Sequence, residues 1–119
     1  KRLDSGEKVK DVHVTPRLVM VLTNTRALGF QAETGRWKME EFTVREILNQ
    51  KTVHSHVVAL ITDHRVLGFS AFTGGFFAED LQSNEKITDI QGNDNIIVLQ
   101  TSSRTLIFRS QLTLWTSVQ

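Results

Sequence analysis

Three arginines stand at equal intervals in this chain: Arg26, Arg65 and Arg104 lie 39 residues apart, each three residues after a threonine, Thr23, Thr62 or Thr101. A guanidinium is a planar fork of donors that matches a carboxylate, phosphate or sulfate with two parallel hydrogen bonds. Gathered together, three such forks would hold a small anionic ligand or a sulfated sugar. The same interval separates Glu7, Glu46 and Glu85, so the arginines also have an architectural reading, in which each pairs with a carboxylate such as Glu46 or Glu85. A residue present in every copy of a repeat is explained first by what every copy must do. Pairing is therefore the preferred reading, and anion binding by Arg26, Arg65 and Arg104 is the candidate site set beside it.

His54 and His56 are two residues apart and share one side of an extended segment, which suits a pair of metal ligands. Their counterparts in the other copies are Thr15 and Arg17, and Asn93 and Asn95. A third and fourth ligand are missing, so no metal is expected and the two histidines are kept as ligand-binding candidates at a turn. His64 beside Asp63 reads as an ordinary polar turn. Trp37, Phe76 and Trp115 also fall on the 39-residue interval. Flat rings with a polar edge can stack on sugars, which supports an alternative reading as a carbohydrate-binding lectin, while packing of one copy on the next is preferred.

Nothing in the chain resembles a catalytic constellation. There is no Gly-x-Ser-x-Gly elbow and no phosphate-binding glycine loop, and the absence of cysteine removes thiolate nucleophiles and ligands. No enzyme and no cofactor are expected. Binding groups are instead sought where the copies differ at turns: Arg17 after Pro16, His54 to His56, Asn93 to Asn95, and Gln82 to Glu85.

The elements that position these residues follow from one unit. Val57 to Ile61 is a continuous apolar run, too short for a typical helix, which reads as a strand covered on both faces. Asp63 and His64 interrupt, and Arg65 to Ser70 resumes with Leu67 and Phe69 on one face, Val66 and Gly68 on the other. Thr73, Gly74 and Gly75 turn the chain into an outgoing strand from Phe76 to Leu81, and Glu46 to Val53 supplies a first strand. The first unit repeats this with Leu18 to Leu22, Arg26 to Ala32 and Trp37 to Phe42, and the third with Ile96 to Gln100, Arg104 to Arg109 and Leu114 to Val118. The expectation is an all-β chain of four-stranded units, a single repeat domain over 1–119 divided at about 5–43, 44–82 and 83–119.

Four-stranded units of roughly 40 residues suggest propeller blades. Ala32-Glu33-Thr34-Gly35-Arg36-Trp37 and Phe72-Thr73-Gly74-Gly75-Phe76 resemble the blade turn of β-propellers of the quinoprotein or outer-membrane-assembly type, Ala-x-Asp-x-x-Thr-Gly followed by an aromatic. The usual aspartate is missing, the aromatic comes early, and the third unit reads Leu112-Thr113-Leu114-Trp115 with no glycine. The resemblance implies architecture alone. A β-trefoil is the rival, since it also has three four-stranded repeats. Apolar residues on both faces of Val57 to Ile61 and Ile96 to Leu99 favour blades, which are sandwiched between neighbours.

Three blades make half a ring with an exposed face at each end, and two copies about a two-fold axis would close six blades, so a homodimer is expected. With 14 Lys and Arg against 13 Asp and Glu, and no long run of one charge, a nucleic-acid partner is not expected. No apolar stretch approaches the ~20 residues of a membrane helix, so membrane insertion is not expected. The start at Lys1 and Arg2 rather than Met suggests a processed, trimmed or tagged terminus. Together these readings give a non-catalytic binding or scaffolding module, a half-propeller that takes a protein or a small anionic ligand through its loops or channel.

Overall fold

The computed structural model describes residues 3–119; Lys1 and Arg2, on which the reading of a trimmed start rests, lie outside the described residues. Among the described residues there are twelve strands and no helix. They form three antiparallel sheets, each with its strands side by side in chain order. The first holds β1 (Val9–Val14), β2 (Leu18–Thr23), β3 (Arg26–Gln31) and β4 (Arg36–Glu41). The second holds β5 (Leu48–Val53), β6 (Val57–Thr62), β7 (Arg65–Ser70) and β8 (Phe76–Asp80). The third holds β9 (Ile87–Gly92), β10 (Ile96–Thr101), β11 (Thr105–Arg109) and β12 (Trp115–Val118). Every strand pairs only with its chain neighbours, so the shared barrel of a trefoil is not formed and that rival falls.

The repeat extends to backbone irregularities. The pairing of β1 with β2 slips between Val9 and Asp11, that of β5 with β6 between Leu48 and Gln50, and that of β9 with β10 between Ile87 and Asp89. One extra residue at the same place in each copy increases the local twist of the strand. A left-handed residue also recurs just before each repeated glutamate: Gly6 (φ 78°), Arg45 (φ 71°) and Asn84 (φ 64°). Each closes a tight turn, in which the Glu7, Glu46 or Glu85 N–H bonds the carbonyl three residues earlier. The first strand of the second unit accordingly begins at Leu48, and Glu46 belongs to the turn rather than to the strand expected from Glu46 to Val53.

The sheets stack face to face and bury two cores. Leu18, Met20, Leu22 and Ala27 of the first sheet meet Val58, Leu60, Leu67 and Phe69 of the second. Val57, Ala59, Ile61 and Val66, on its other face, meet Ile97, Leu99, Leu106 and Phe108 of the third. Alternation sends successive residues of β6 into different cores, and all six are buried. Each Val, Leu, Ile, Met or Phe side chain among them contributes roughly 1.5–3 kcal/mol on full burial.

The run from Ile96 to Leu99 was expected to be covered on both faces, but only Ile97 and Leu99 are buried, while Ile96 and Val98 are half-exposed. The cause is position in the stack. No described sheet lies beyond the third, and Val19 and Val21 on the outer face of the first are half-exposed for the same reason.

Candidate functional site

Each repeated arginine is held by the glutamate of its own copy. Arg26 donates from Nε to Glu7 Oε2 at 2.8 Å and from Nη2 to Oε1 at 3.0 Å. The same fork joins Arg65 to Glu46 at 2.9 and 3.1 Å, and Arg104 to Glu85 at 2.9 and 3.1 Å. The threonine of the repeat completes the unit: Thr23, Thr62 and Thr101 donate to the same Oε2 at 2.6, 2.6 and 2.5 Å. On the other oxygen, the backbone N–H of Asp4, Thr43 or Gln82 donates at 2.8 to 2.9 Å. The tight turn places that N–H on the carboxylate.

Two of the arginines then reach across to the preceding sheet. Arg65 Nη1 meets Glu40 at 2.9 Å and its Nη2 the Glu41 carbonyl at 2.9 Å. Arg104 Nη1 meets Glu79 at 3.0 Å and its Nη2 the Asp80 carbonyl at 2.8 Å. Glu40 and Glu79 escaped the sequence reading, although they too lie 39 residues apart. The structure therefore brings Arg26, Arg65 and Arg104 not to one shared pocket but to separate carboxylates, two of them at the joints between sheets.

These surroundings set the ionisation of the glutamates. Hydrogen bonds from Arg26 and Thr23 bring the Glu7 carboxyl from 4.5 down to about 2 against the opposing effect of burial. For Glu46 and Glu85, burial pushes upward, but bonds from Arg65 and Thr62, or Arg104 and Thr101, with the backbone N–H outweigh it and the carboxyls again lie at about 2. All three stay anionic through the physiological range.

His54 and His56 do not converge on a common point. His54 Nε2 bonds Thr52 Oγ1 at 2.9 Å within its own hairpin. His56 Nδ1 bonds Asn95 Oδ1 of the third sheet at 2.9 Å, and its ring lies 4.9 Å from that of Phe72. Among the described residues no group of three or more His, Asp or Glu is placed to hold a metal. The backbone N–H of Ser55 and of His56 meet Asp94, at its Oδ1 and its carbonyl respectively. Thus His54 to His56 and Asn93 to Asn95, both singled out as breaks in the repeat, come together at the joint of the second and third sheets. Asp63 lies 3.1 Å from His64 Nδ1 and also accepts the Ile47 N–H at 2.9 Å, the role that Asn24 plays toward Lys8. The segment Gln82 to Glu85 is the turn that carries the third latch.

The repeated aromatics stack within their own sheets. Trp37 lies 4.9 Å from Phe30, Phe76 lies 5.0 Å from Phe69, and Trp115 lies 5.0 Å from Phe108. Trp115 also donates its indole N–H to the Phe77 carbonyl of the second sheet at 2.9 Å. Beside the latches, two crevices of about 310 and 330 Å³ open at matching places in the joints. Asp11 and Lys51 form an ion pair at 2.9 Å in the first crevice, and Lys86 and Asp63 line the second.

No family model matches this sequence, and no curated protein matches it either. Among solved structures, the chain is similar to residues 644–1017 of HIRA, with 12% identity and a TM-score of 0.56 over 92% of this chain and 39% of that one. It is also similar to a chain in the S. cerevisiae assembly of Dbp5 bound to Nup159, Gle1, IP6 and ADP, with 11% identity and a TM-score of 0.50 over 92% of this chain and 29% of that one. The chain thus spans well under half the length of the structures it matches. HIRA and Nup159 are β-propeller proteins. The three stacked sheets, each with four strands in chain order, are accordingly an all-β half-propeller of three blades.

Proposed function

We propose that this half-propeller is a non-catalytic binding or scaffolding module that presents the turns at the joint of its second and third blades to a protein partner. One observation carries the reading. The charged and aromatic residues that recur in every copy serve the architecture, through the Arg–Glu–Thr latches and the stacked rings. Outside that recurring set lies the patch where the copies differ in residue type: exposed Phe72 against His56, with Asn95 and Asp94 bonded to the same turn. An exposed ring rimmed by hydrogen-bonding groups is the composition of a protein-binding spot.

The test is a photocrosslinking residue placed at Asp94 in the cells that make the chain. A single captured protein, lost when Phe72→Ala is added to a chain of unchanged melting temperature, supports the reading. Capture that is indifferent to Phe72→Ala, or no capture, contradicts it.

A further inference from the structure

The two internal joints are written in one code. A phenylalanine on the leading face of the later blade, Phe69 or Phe108, lies over a glycine of the earlier one, Gly29 or Gly68. The arginine of the later blade takes a glutamate of the earlier one, Glu40 or Glu79. A side chain ending the third strand of the earlier blade donates to a backbone carbonyl of the later: Gln31 to Ala71 at 2.8 Å, and Ser70 to Ser110.

The trailing face of the third blade departs from that code. Ile107 stands where the two glycines stand, and Val118 stands where Glu40 and Glu79 stand. Arg109 replaces Gln31 and Ser70; it is exposed and still a donor, now with a positive charge. Beside it lies a depression of about 410 Å³ lined by Asn95, Ile96, Arg109, Ser110, Gln111 and Leu112. At the second joint the corresponding turn, Ser55 and His56, is engaged by Asp94 and Asn95 of the next blade. The depression is therefore where the turn of a following blade would seat.

We propose that this face docks a β-blade of inverted relief, with a small residue opposite Ile107 and carbonyl or carboxylate acceptors facing Arg109, and that it does not dock the first blade of a second copy. The first blade carries Phe30 at the position of Phe69 and Phe108. At the internal joints the ring leaves no room even for a Cβ, the nearest atoms lying 2.4 and 2.8 Å from where one would stand. Set over Ile107 in the same register, Phe30 would meet a branched side chain. Val118 also offers no carboxylate to the arginine of an arriving blade. Two-fold closure into a six-bladed ring, the sequence expectation, requires this mismatched contact twice.

Sedimentation velocity of the chain and of the double variant Ile107→Gly, Val118→Glu tests the code by gain of function. The chain itself is expected to show no discrete dimer of about twice 13.5 kDa at the concentrations used, and the variant to form one at concentrations at least tenfold below the highest at which the chain is monomeric. A wild-type dimer, or a folded variant that does not dimerise, overturns the proposal. A second arm supplies the occupant: a fourth repeat copied from residues 5–43 is joined after Gln119, with the counterpart of Phe30 either kept or changed to glycine. The glycine version is expected to melt higher, by roughly 4 °C or more; equal melting, or a higher value with phenylalanine, overturns the inverted relief.

Discussion

Phe69 lies over Gly29 so closely that a Cβ on the glycine would stand 2.4 Å from the phenylalanine ring. The ring is itself almost fully buried and packed on Phe76, so it has little room to withdraw. Gly29→Ala should therefore push the first two blades apart and cost roughly 1–3 kcal/mol. Urea denaturation checks this, with Gly68→Ala, which faces Phe108 at 2.8 Å, expected to behave alike.

The latches make a second prediction. Arg104→Met leaves the Glu85 carboxylate, whose side chain has no exposed surface, without its fork, and should destabilise by roughly 2 kcal/mol or more, as breaking a covered ion pair does. Glu85→Gln in the same chain removes the stranded charge and should recover part of the loss. A double-mutant cycle that returned no coupling would show that the pair does not hold the joint.

The glutamates also set an acid limit. Their folded values of about 2 lie below the ordinary 4.5, so the folded state binds fewer protons than the unfolded one between those values. The stabilisation is complete above about 4.5 and is lost as pH falls toward 2. Melting temperature should be flat from pH 7 to 5 and fall steeply below, and Glu85→Gln, less stable at neutrality, should show a shallower fall.

Val58 and Leu60 point into the core between the first and second blades and Ala59 into that between the second and third, all with no exposed surface. Val58→Asp or Leu60→Asp places a charge there without a partner, costing several kcal/mol. Loss of the cooperative unfolding transition is the expected result, by near-ultraviolet circular dichroism.

Much of this was legible in the sequence for a simple reason: what recurs in sequence recurs in space. The 39-residue interval marked Arg65 with Glu46, and the two-sided apolar run at Val57 to Ile61 pointed to a sheet between sheets rather than a barrel wall. Gly29 and Gly68 stand on the strand face opposite the Leu and Phe, where the lack of a side chain lets the next sheet approach closely. Contacts between copies were harder, because nothing in one chain states which blade an arginine turns toward. Glu40 and Glu79 were missed for that reason, and the half-exposure of Ile96 and Val98 depends on the place of a strand in the stack, which its own composition does not encode. His54 and His56 share a sequence spacing, but their hydrogen bonds lead to Thr52 and Asn95.

The most direct test of the claim that the repeated arginines are latches rather than an anion site is the melting temperature of the chain and of Arg65→Met, with and without sulfate at constant ionic strength. The latch account predicts that Arg65→Met lowers the melting temperature by the same amount in both conditions, since Glu46 and Glu40 already occupy the guanidinium. A sulfate-dependent rise in the unaltered chain, abolished by Arg65→Met alone, would mean that the folded state binds the anion through Arg65 and would contradict it.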